Sequence, residues 1–267
     1  MSILERVSKA KKVKKASPLK APALRNPGQS LEDEIRRLLA EELPSYLALA
    51  TVFCVVAVIE WIRAYSKLPP MQWPWTILAL LACAWATYKL LTIRRKIRLL
   101  RQAKEGEKAV GQYLEALREK GYKVLHDVLA GKFNLDHVLV GPSGVYVIET
   151  KTISKPVKGD ASVEYDGEKV TVAGFSPDRD PVMQAKALGK WLGELIKEST
   201  GKSFKVRPVV LYPGWFVTEQ PRNSEVWVLN PKALPSFLDH EDKSMTQDDV
   251  HLVSYHLSRY VRTRNVP

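Results

Sequence analysis

The sequence predicts a mixed α/β sheet flanked by helices and preceded by a two-helix transmembrane hairpin. Two apolar runs between residues 45 and 93 are each long enough to cross a bilayer core of ~30 Å at about 1.5 Å per residue. Beyond them, short alternating strands separated by turn signals are interspersed with helices of 3.6-residue periodicity. The predicted units are a basic tail (1–30), a short amphipathic helix (31–43), the hairpin (44–98) and an α/β domain (99–267).

The tail accounts for much of the positive charge. The 267-residue chain has a formal net charge of +12 and a pI near 9.6, which favours an anionic partner, either nucleic acid or an acidic membrane face. KAKKVKKASPLKAP lacks apolar periodicity, so residues 1–30 are predicted to be disordered. The lysines could contact anionic lipids, supply most of the nucleic-acid affinity through phosphates, or remain solvated. Cys54 and Cys83 form neither a Cys-x-x-Cys motif nor a disulfide framework.

Ser30 is placed to cap a short helix that Pro44 is expected to interrupt. The predicted spans are 45–62 and 73–93, and Glu60 lies near the end of the first, where an interfacial carboxylate is tolerated. The second span is followed by a cluster of basic residues, Arg94, Arg95, Lys96, Arg98 and Arg101, whereas the link between the spans carries two. The positive-inside rule places the N-terminus and the domain in the cytoplasm, at the cell (inner) membrane. The alternative is a pair of buried soluble helices, but both runs are apolar on all sides.

The domain is predicted to begin with a helix over about 99–119, ending at Gly121. Further elements are strands over 122–129 and through 134–151, a hairpin around Asp166-Gly167, a helix over 181–199, strands over 206–213 and 224–230, and a helix over 247–262. Pro208 suggests that its strand enters the sheet late or lies at an edge. The sequence has no internal repeat.

Two strands joined by a Gly-Pro-Ser-Gly turn carry the most informative polar residues. Asp136 lies on the first strand, and Glu149 and Lys151 share one face of the second because side chains alternate along a strand. Carboxylates on otherwise apolar strands are costly to bury unless they pair or bind a metal. Asp136 and Glu149, with the Thr150 carbonyl as a third ligand, could bind Mg²⁺ or Mn²⁺.

Such a centre suits phosphodiester hydrolysis, which uses a divalent ion to polarise a phosphoryl oxygen and to lower the pKa of a water. Lys151 could hold the attacking water or offset charge on the phosphorus. Glu107, which follows Gly106 on the preceding helix, could orient a metal-bound water. Taken singly, each of these acids is more often solvated or ion-paired, and it is their spacing that favours a metal centre.

Three segments carry a resemblance to a known family: GEKAVGQYLEAL, VLHDVL and NLDHVLVGPSGVYVIETK. Together they are similar to the nuclease-related domain (NERD), a branch of the PD-(D/E)xK nuclease superfamily, over about residues 104–215. The resemblance implies a metal-dependent fold that cleaves DNA or RNA, with DNA the expected substrate here. It assigns the catalytic set Glu107, Asp136, Glu149, Lys151 and Gln184, the last in DPVMQAKAL.

The competing interpretation is a non-catalytic membrane adaptor that binds nucleic acid or protein through a degenerate nuclease fold. Other polar residues have structural alternatives: His137 is expected to be a core histidine rather than a base, and His126 and Asp127 are expected to be structural. Tyr146 and Trp215 could stack on bases or lie in the core. A set of basic residues could follow phosphates or simply be solvated: Lys155, Lys158, Lys169, Arg179 and Lys186.

Overall fold

The structure, a computed structural model, describes residues 23–66, 71–131, 133–155, 162–218, 221 and 224–264. Most of the predicted disordered tail therefore lies outside the described residues. Its last part, residues 23–30, contacts the α/β domain and leads into the first helix.

The helices are α1 (Gln29–Arg37), α2 (Leu43–Tyr65), α3 (Gln72–Glu115), α4 (Pro181–Thr200), α5 (Leu234–Asp239) and α6 (Gln247–Arg264). The strands are β1 (Lys123–Ala130), β2 (Phe133–Gly141), β3 (Gly144–Thr150), β4 (Ser162–Tyr165), β5 (Val170–Val172), β6 (Val206–Leu211), β7 (Phe216–Val217) and β8 (Trp227–Leu229).

Two expectations about the first helices are wrong. Pro44 does not interrupt the chain, because a π-helical turn (Leu38–Glu42) leads directly into α2 and Pro44 lies in its first turn, where a missing N–H is tolerated. Ser30 does not cap α1 either. Gly28 occupies the cap position, while the Ser30 hydroxyl donates to Asp127 of β1.

Helix α3 merges two elements that the sequence separates. The second apolar run and the first helix of the domain form one continuous helix of 44 residues, which is ~66 Å long. Its apolar half packs against α2, where Cys54 Sγ lies 3.5 Å from Cys83 Sγ and the Tyr46 and Trp85 rings meet edge to face. By length and composition both helices can cross a membrane, and only 17% of the most apolar stretch of each is buried.

The main sheet is mixed and has the order β1-β2-β3-β6-β8, which confirms the predicted mixed sheet flanked by helices. β1, β2 and β3 are antiparallel neighbours, while β6 and β8 join in parallel. Helices α4 and α6 bury Leu192 and Val253 against one face, and α3 and α5 bury Leu114 and Leu234 against the other. The sheet is therefore covered on both faces.

The Asp166-Gly167 hairpin forms as predicted, with β4 and β5 antiparallel. It belongs to a separate small sheet with the order β5-β4-β7. Pro208 does not lie on an edge strand, because β6 is flanked by β3 and β8. The β6–β8 pairing begins only at Val209, after the proline, so Pro208 lies outside this part of the ladder.

Candidate active site

Strands β2 and β3 bring the two predicted carboxylates together. Their antiparallel register pairs His137 with Ile148, and the same register continued by one residue sets Asp136 opposite Glu149. The backbone N–H of Thr150 donates to Asp136 Oδ2 at 2.7 Å, which fixes this carboxylate across the end of β3.

Helix α4 adds an amide to the charged groups of Glu149 on β3 and of Lys151 just after it. Lys151 Nζ lies 2.8 Å from Glu149 Oε1 and 2.8 Å from Gln184 Oε1. Gln184 Nε2 donates to the same Glu149 oxygen at 2.7 Å. The Asp180 side chain caps the start of α4 through the N–H groups of the first turn and so fixes the turn that carries Gln184. Glu149, Lys151 and Gln184 therefore form a closed hydrogen-bonded triangle.

Glu107 reaches this region from α3, and the preceding glycine explains how. A Cβ atom at Gly106 would lie 1.6 Å from Thr152 Oγ1, which follows β3. A residue without a side chain is required there for the helix to approach the end of the strand. The Gly-Glu pair thus places a buried carboxylate next to the site.

The electrostatics indicate a crowded group of acids. Burial, reinforced by the charges of Asp127 and Glu149, raises the pKa of Glu107 to about 8. Burial raises the pKa of Asp136 well above its usual range, and the charges of Glu149 and Glu107 add to the effect. A bound cation would offset both penalties.

Asp127 belongs to the same group, although the sequence suggested only a structural role. It lies between two β1 residues whose partners on β2 are His137 and Leu135, hence opposite Asp136. Its φ of 50° is left-handed and interrupts the regular strand beside the site. The sequence signal that could have indicated this placement is a third acid on β1, at the position that faces Asp136 on the neighbouring strand β2.

The donor set fits a hard divalent cation. Glu149 Oε2 is buried and has no hydrogen-bond partner among the described residues. A bound metal ion would give this oxygen the partner that it lacks. The described part of the chain holds no group of three or more His, Cys, Asp or Glu side chains that are placed to bind one metal ion together. Mg²⁺ does not need such a cage, because one or two carboxylates suffice when water and substrate complete its shell.

His126 and His137 belong to a separate hydrogen-bonded chain. His126 Nδ1 and His137 Nδ1 are 2.8 Å apart, and His126 Nε2 is 2.9 Å from Glu115 Oε1. The carboxylate keeps a proton on His126 Nε2, so we infer that His137 donates its Nδ1 proton to His126. His137 is fully buried and burial lowers its pKa well below the usual range. It is a core histidine, as expected.

Tyr146 and Trp215 are both buried in the core, which rules out base stacking by either ring in this structure. Trp215 donates its indole N–H to the Ile153 carbonyl at 3.1 Å. Among the basic residues considered as a phosphate track, Lys155 lies 5.9 Å from the Trp215 ring centre and Lys186 pairs with Glu225 at 2.8 Å. Lys169 and Arg179 are exposed, and Lys158 lies outside the described residues.

Comparison with known proteins gives a family match. Residues 102–213 match the model of the nuclease-related domain. No curated protein matches the chain. Among solved structures, protein VC1899 from Vibrio cholerae is similar at 14% identity and a TM-score of 0.28, covering 88% of this chain and 58% of that one. SfsA of Pyrococcus furiosus, solved in complex with Ca²⁺, is similar at 18% identity and a TM-score of 0.22, covering 60% and 52%. The chain thus spans less than two thirds of either protein.

The family match includes all five residues that the sequence assigned to the catalytic set. Glu107, Asp136, Glu149, Lys151 and Gln184 all fall between its ends. The match confirms the family that the sequence motifs suggested, and the family is consistent with the PD-(D/E)xK superfamily. Residues 102–213 of this chain therefore match the nuclease-related domain family.

Proposed function

We propose that this protein is a membrane-anchored nuclease that hydrolyses phosphodiester bonds in nucleic acid with Mg²⁺ or Mn²⁺. The observation that carries the proposal is the placement of Asp136 opposite Glu149, with Lys151 Nζ 2.8 Å from Glu149. The net charge of +12 suits a polyanionic substrate. DNA is proposed ahead of RNA on the family resemblance.

The ion would be held by the carboxylates of Asp136 and Glu149 and by the carbonyl oxygen of Thr150. When bound, it supplies a Lewis acid that polarises a phosphoryl oxygen and lowers the pKa of a water. Glu149 Oε2, which has no donor among the described residues, supports this assignment, because a buried carboxylate oxygen without a donor is costly.

The remaining residues position the reacting groups and offset the negative charge that develops during the reaction. The Lys151 ammonium offsets the negative charge that develops on the phosphoryl oxygens as water attacks and the sugar oxygen leaves. Gln184 holds Lys151 and Glu149 in one orientation, because its carbonyl accepts from the first and its N–H donates to the second. Glu107 orients the attacking water from the helix side.

Helix α2 and the first half of α3 are proposed to cross the inner membrane, with the N-terminus and the domain in the cytoplasm. Their outward apolar surface supports this arrangement, as does the basic cluster that follows the second span. Glu60, the one acid within the first span, accepts from Arg63 at 2.8 Å and from the Met71 N–H at 3.1 Å, close to the turn of the hairpin. The lysines of the tail, residues 1–22, would meet anionic headgroups on the same side.

Cleavage by the full-length protein in detergent tests the catalytic part. Linear DNA and RNA would be incubated with Mg²⁺, Mn²⁺ or a chelator. We expect Asp136→Asn and Lys151→Met to lower the metal-dependent rate by roughly 10²–10³-fold with an unchanged circular dichroism spectrum. Lys197→Met, at an exposed position near the end of α4, is the matched control. Variants as fast as the wild type would remove these residues from the mechanism, and a wild type that binds nucleic acid without cutting it would indicate an adaptor.

Carbonate washing of membranes tests the anchor. The intact protein is expected in the pellet because two apolar spans hold it in the bilayer. Recovery in the soluble fraction would contradict the proposal.

A further inference from the structure

Residues 23–30, here called the N-terminal strap, hold Asp127 of β1. Arg25 Nε donates to Asp127 Oδ2 at 2.7 Å, and both side chains are almost fully buried, at 8% and 2% exposure. The backbone N–H of Ser30 donates to the same oxygen at 2.7 Å, and the Ser30 hydroxyl donates to Oδ1. Asn134 Nδ2 at the start of β2 donates to Ser30 Oγ at 2.7 Å. These contacts hold the strap against the domain, and loss of Arg25 would leave the buried charge of Asp127 uncompensated.

The strap also contacts the helix that carries Glu107. The backbone N–H of Gly28 donates to the Glu107 carboxylate. One turn further along α3, Pro27 lies against Gly111, where a Cβ atom would be 2.7 Å from Pro27 Cγ. Glu107 and Gly111 are four residues apart and share one face of the helix. The absence of a side chain at Gly111 therefore lets the strap close on the face that presents Glu107.

We infer that the strap is part of the active centre and that Arg25 and Asp127 are positioning residues for Glu107. Gly28 fixes the Glu107 carboxylate through its N–H, and Arg25 offsets the charge of Asp127 beside it. This inference rests on the proposed nuclease function, in which Glu107 orients the attacking water. Arg25 acts through Asp127, and its guanidinium also pairs with Asp33 of α1 at 3.2 Å.

The strap provides a second connection between the site and the hairpin, in addition to helix α3. It leads directly into α1 and α2, while Glu107 lies on the helix that continues the second apolar run. The site is thus assembled from chain segments on both sides of the hairpin. A domain excised at residue 99 would lack one of them.

Deletions in the full-length protein separate the strap from the tail. Removing residues 2–22 keeps the strap, whereas removing residues 2–30 eliminates it. We expect the longer deletion and Arg25→Gln to lower kcat at least tenfold with KM within about twofold, since substrate binding does not require a positioned Glu107. In three control proteins we expect kcat to stay within about threefold of the wild-type value. They are the shorter deletion, the exposed substitution Arg36→Gln and the charge-conserving substitution Arg25→Lys.

Gly111→Ala provides a variant that unpairs no charge and favours the helix. The new methyl group displaces Pro27, so kcat is expected to fall about threefold to tenfold while circular dichroism is unchanged. Amide hydrogen exchange gives a readout independent of activity: Ser30 should exchange at least tenfold faster in Arg25→Gln, with the β3 amides unaffected.

The possible outcomes distinguish the role of the strap from the proposed nuclease function. Wild-type cleavage with equal kcat in Arg25→Gln, Gly111→Ala and the longer deletion would overturn the strap's role and leave the nuclease function standing. Faster cleavage after the longer deletion would also overturn it, because the strap would then cover the site. Absence of cleavage by the wild type would overturn both proposals.

Discussion

Glu107→Gln should stabilise the metal-free protein at alkaline pH. Burial raises the pKa of Glu107 from 4.5 to about 8, so the folded state keeps a proton that the unfolded state loses. Below pH 4.5 both states are protonated and the side chain costs nothing. As the pH rises towards 8, only the unfolded state ionises and stability is lost, because the folded-state pKa is the higher one.

The size of the effect follows from the rise in pKa of about 3.5. Each pKa unit corresponds to about 1.4 kcal/mol, so the cost approaches about 5 kcal/mol at pH 8 and above. Glutamine mimics the protonated acid and avoids this cost. A protein of this size changes its Tm by roughly 2–4 °C per kcal/mol, which gives an upper limit of roughly 10–20 °C.

Thermal unfolding in detergent with a chelator, at pH 5 and pH 8, measures the difference. Glu105→Gln is the matched control, since Glu105 lies two residues away on α3 with its side chain 74% exposed. A Glu107→Gln protein that gains no stability at pH 8, or gains as much at pH 5, would refute the assignment of Glu107 to a buried acidic group.

Three further substitutions probe other parts of the site. Gly106→Ala should lower stability by about 1–3 kcal/mol and reduce cleavage, because the new Cβ collides with Thr152 Oγ1 and moves Glu107; denaturant titration checks this, and a wild-type midpoint would contradict it. Gln184→Leu should reduce kcat by about tenfold by freeing Lys151 and Glu149 from a common partner; Gln247→Leu at the start of α6 is the control, and equal rates would exclude the role of Gln184. His126→Phe should cost about 1–3 kcal/mol by leaving the buried His137 N–H without its acceptor, yet leave kcat unchanged; a loss of activity at full stability would instead tie the histidines to the reaction.

Local patterns explain which parts of the fold could be predicted. The opposition of Asp136 and Glu149 follows from a short turn, because a tight connection fixes the register of two antiparallel strands. The start of α4 at Pro181 follows from proline's preference for the first helical turn. In both cases the deciding contacts lie within a few residues of each other.

Contacts across long separations explain what could not be predicted. Arg25 and Asp127 are 102 residues apart, and neither their residue types nor their spacing predicts that they form an ion pair. The apolar run ends near residue 93 although α3 continues, because hydropathy reports the surroundings of a helix and not its backbone. The end of an apolar run is therefore not by itself the end of a helix.

The continuity of α3 has a functional consequence in the proposed orientation. From Ile93, at the end of the second apolar run, to Glu107 the helix advances 14 residues without interruption, which is ~21 Å. The strap joins the same site to α1, and α1 is paired with α3 through Lys96–Glu34 at 2.6 Å and Lys104–Glu32 at 2.8 Å. Two connections on different sides of the hairpin resist rotation of the domain better than one flexible linker would. In that orientation the site would be held close to the membrane surface, and the nucleic acids that it would reach would be those within a few nanometres of the bilayer.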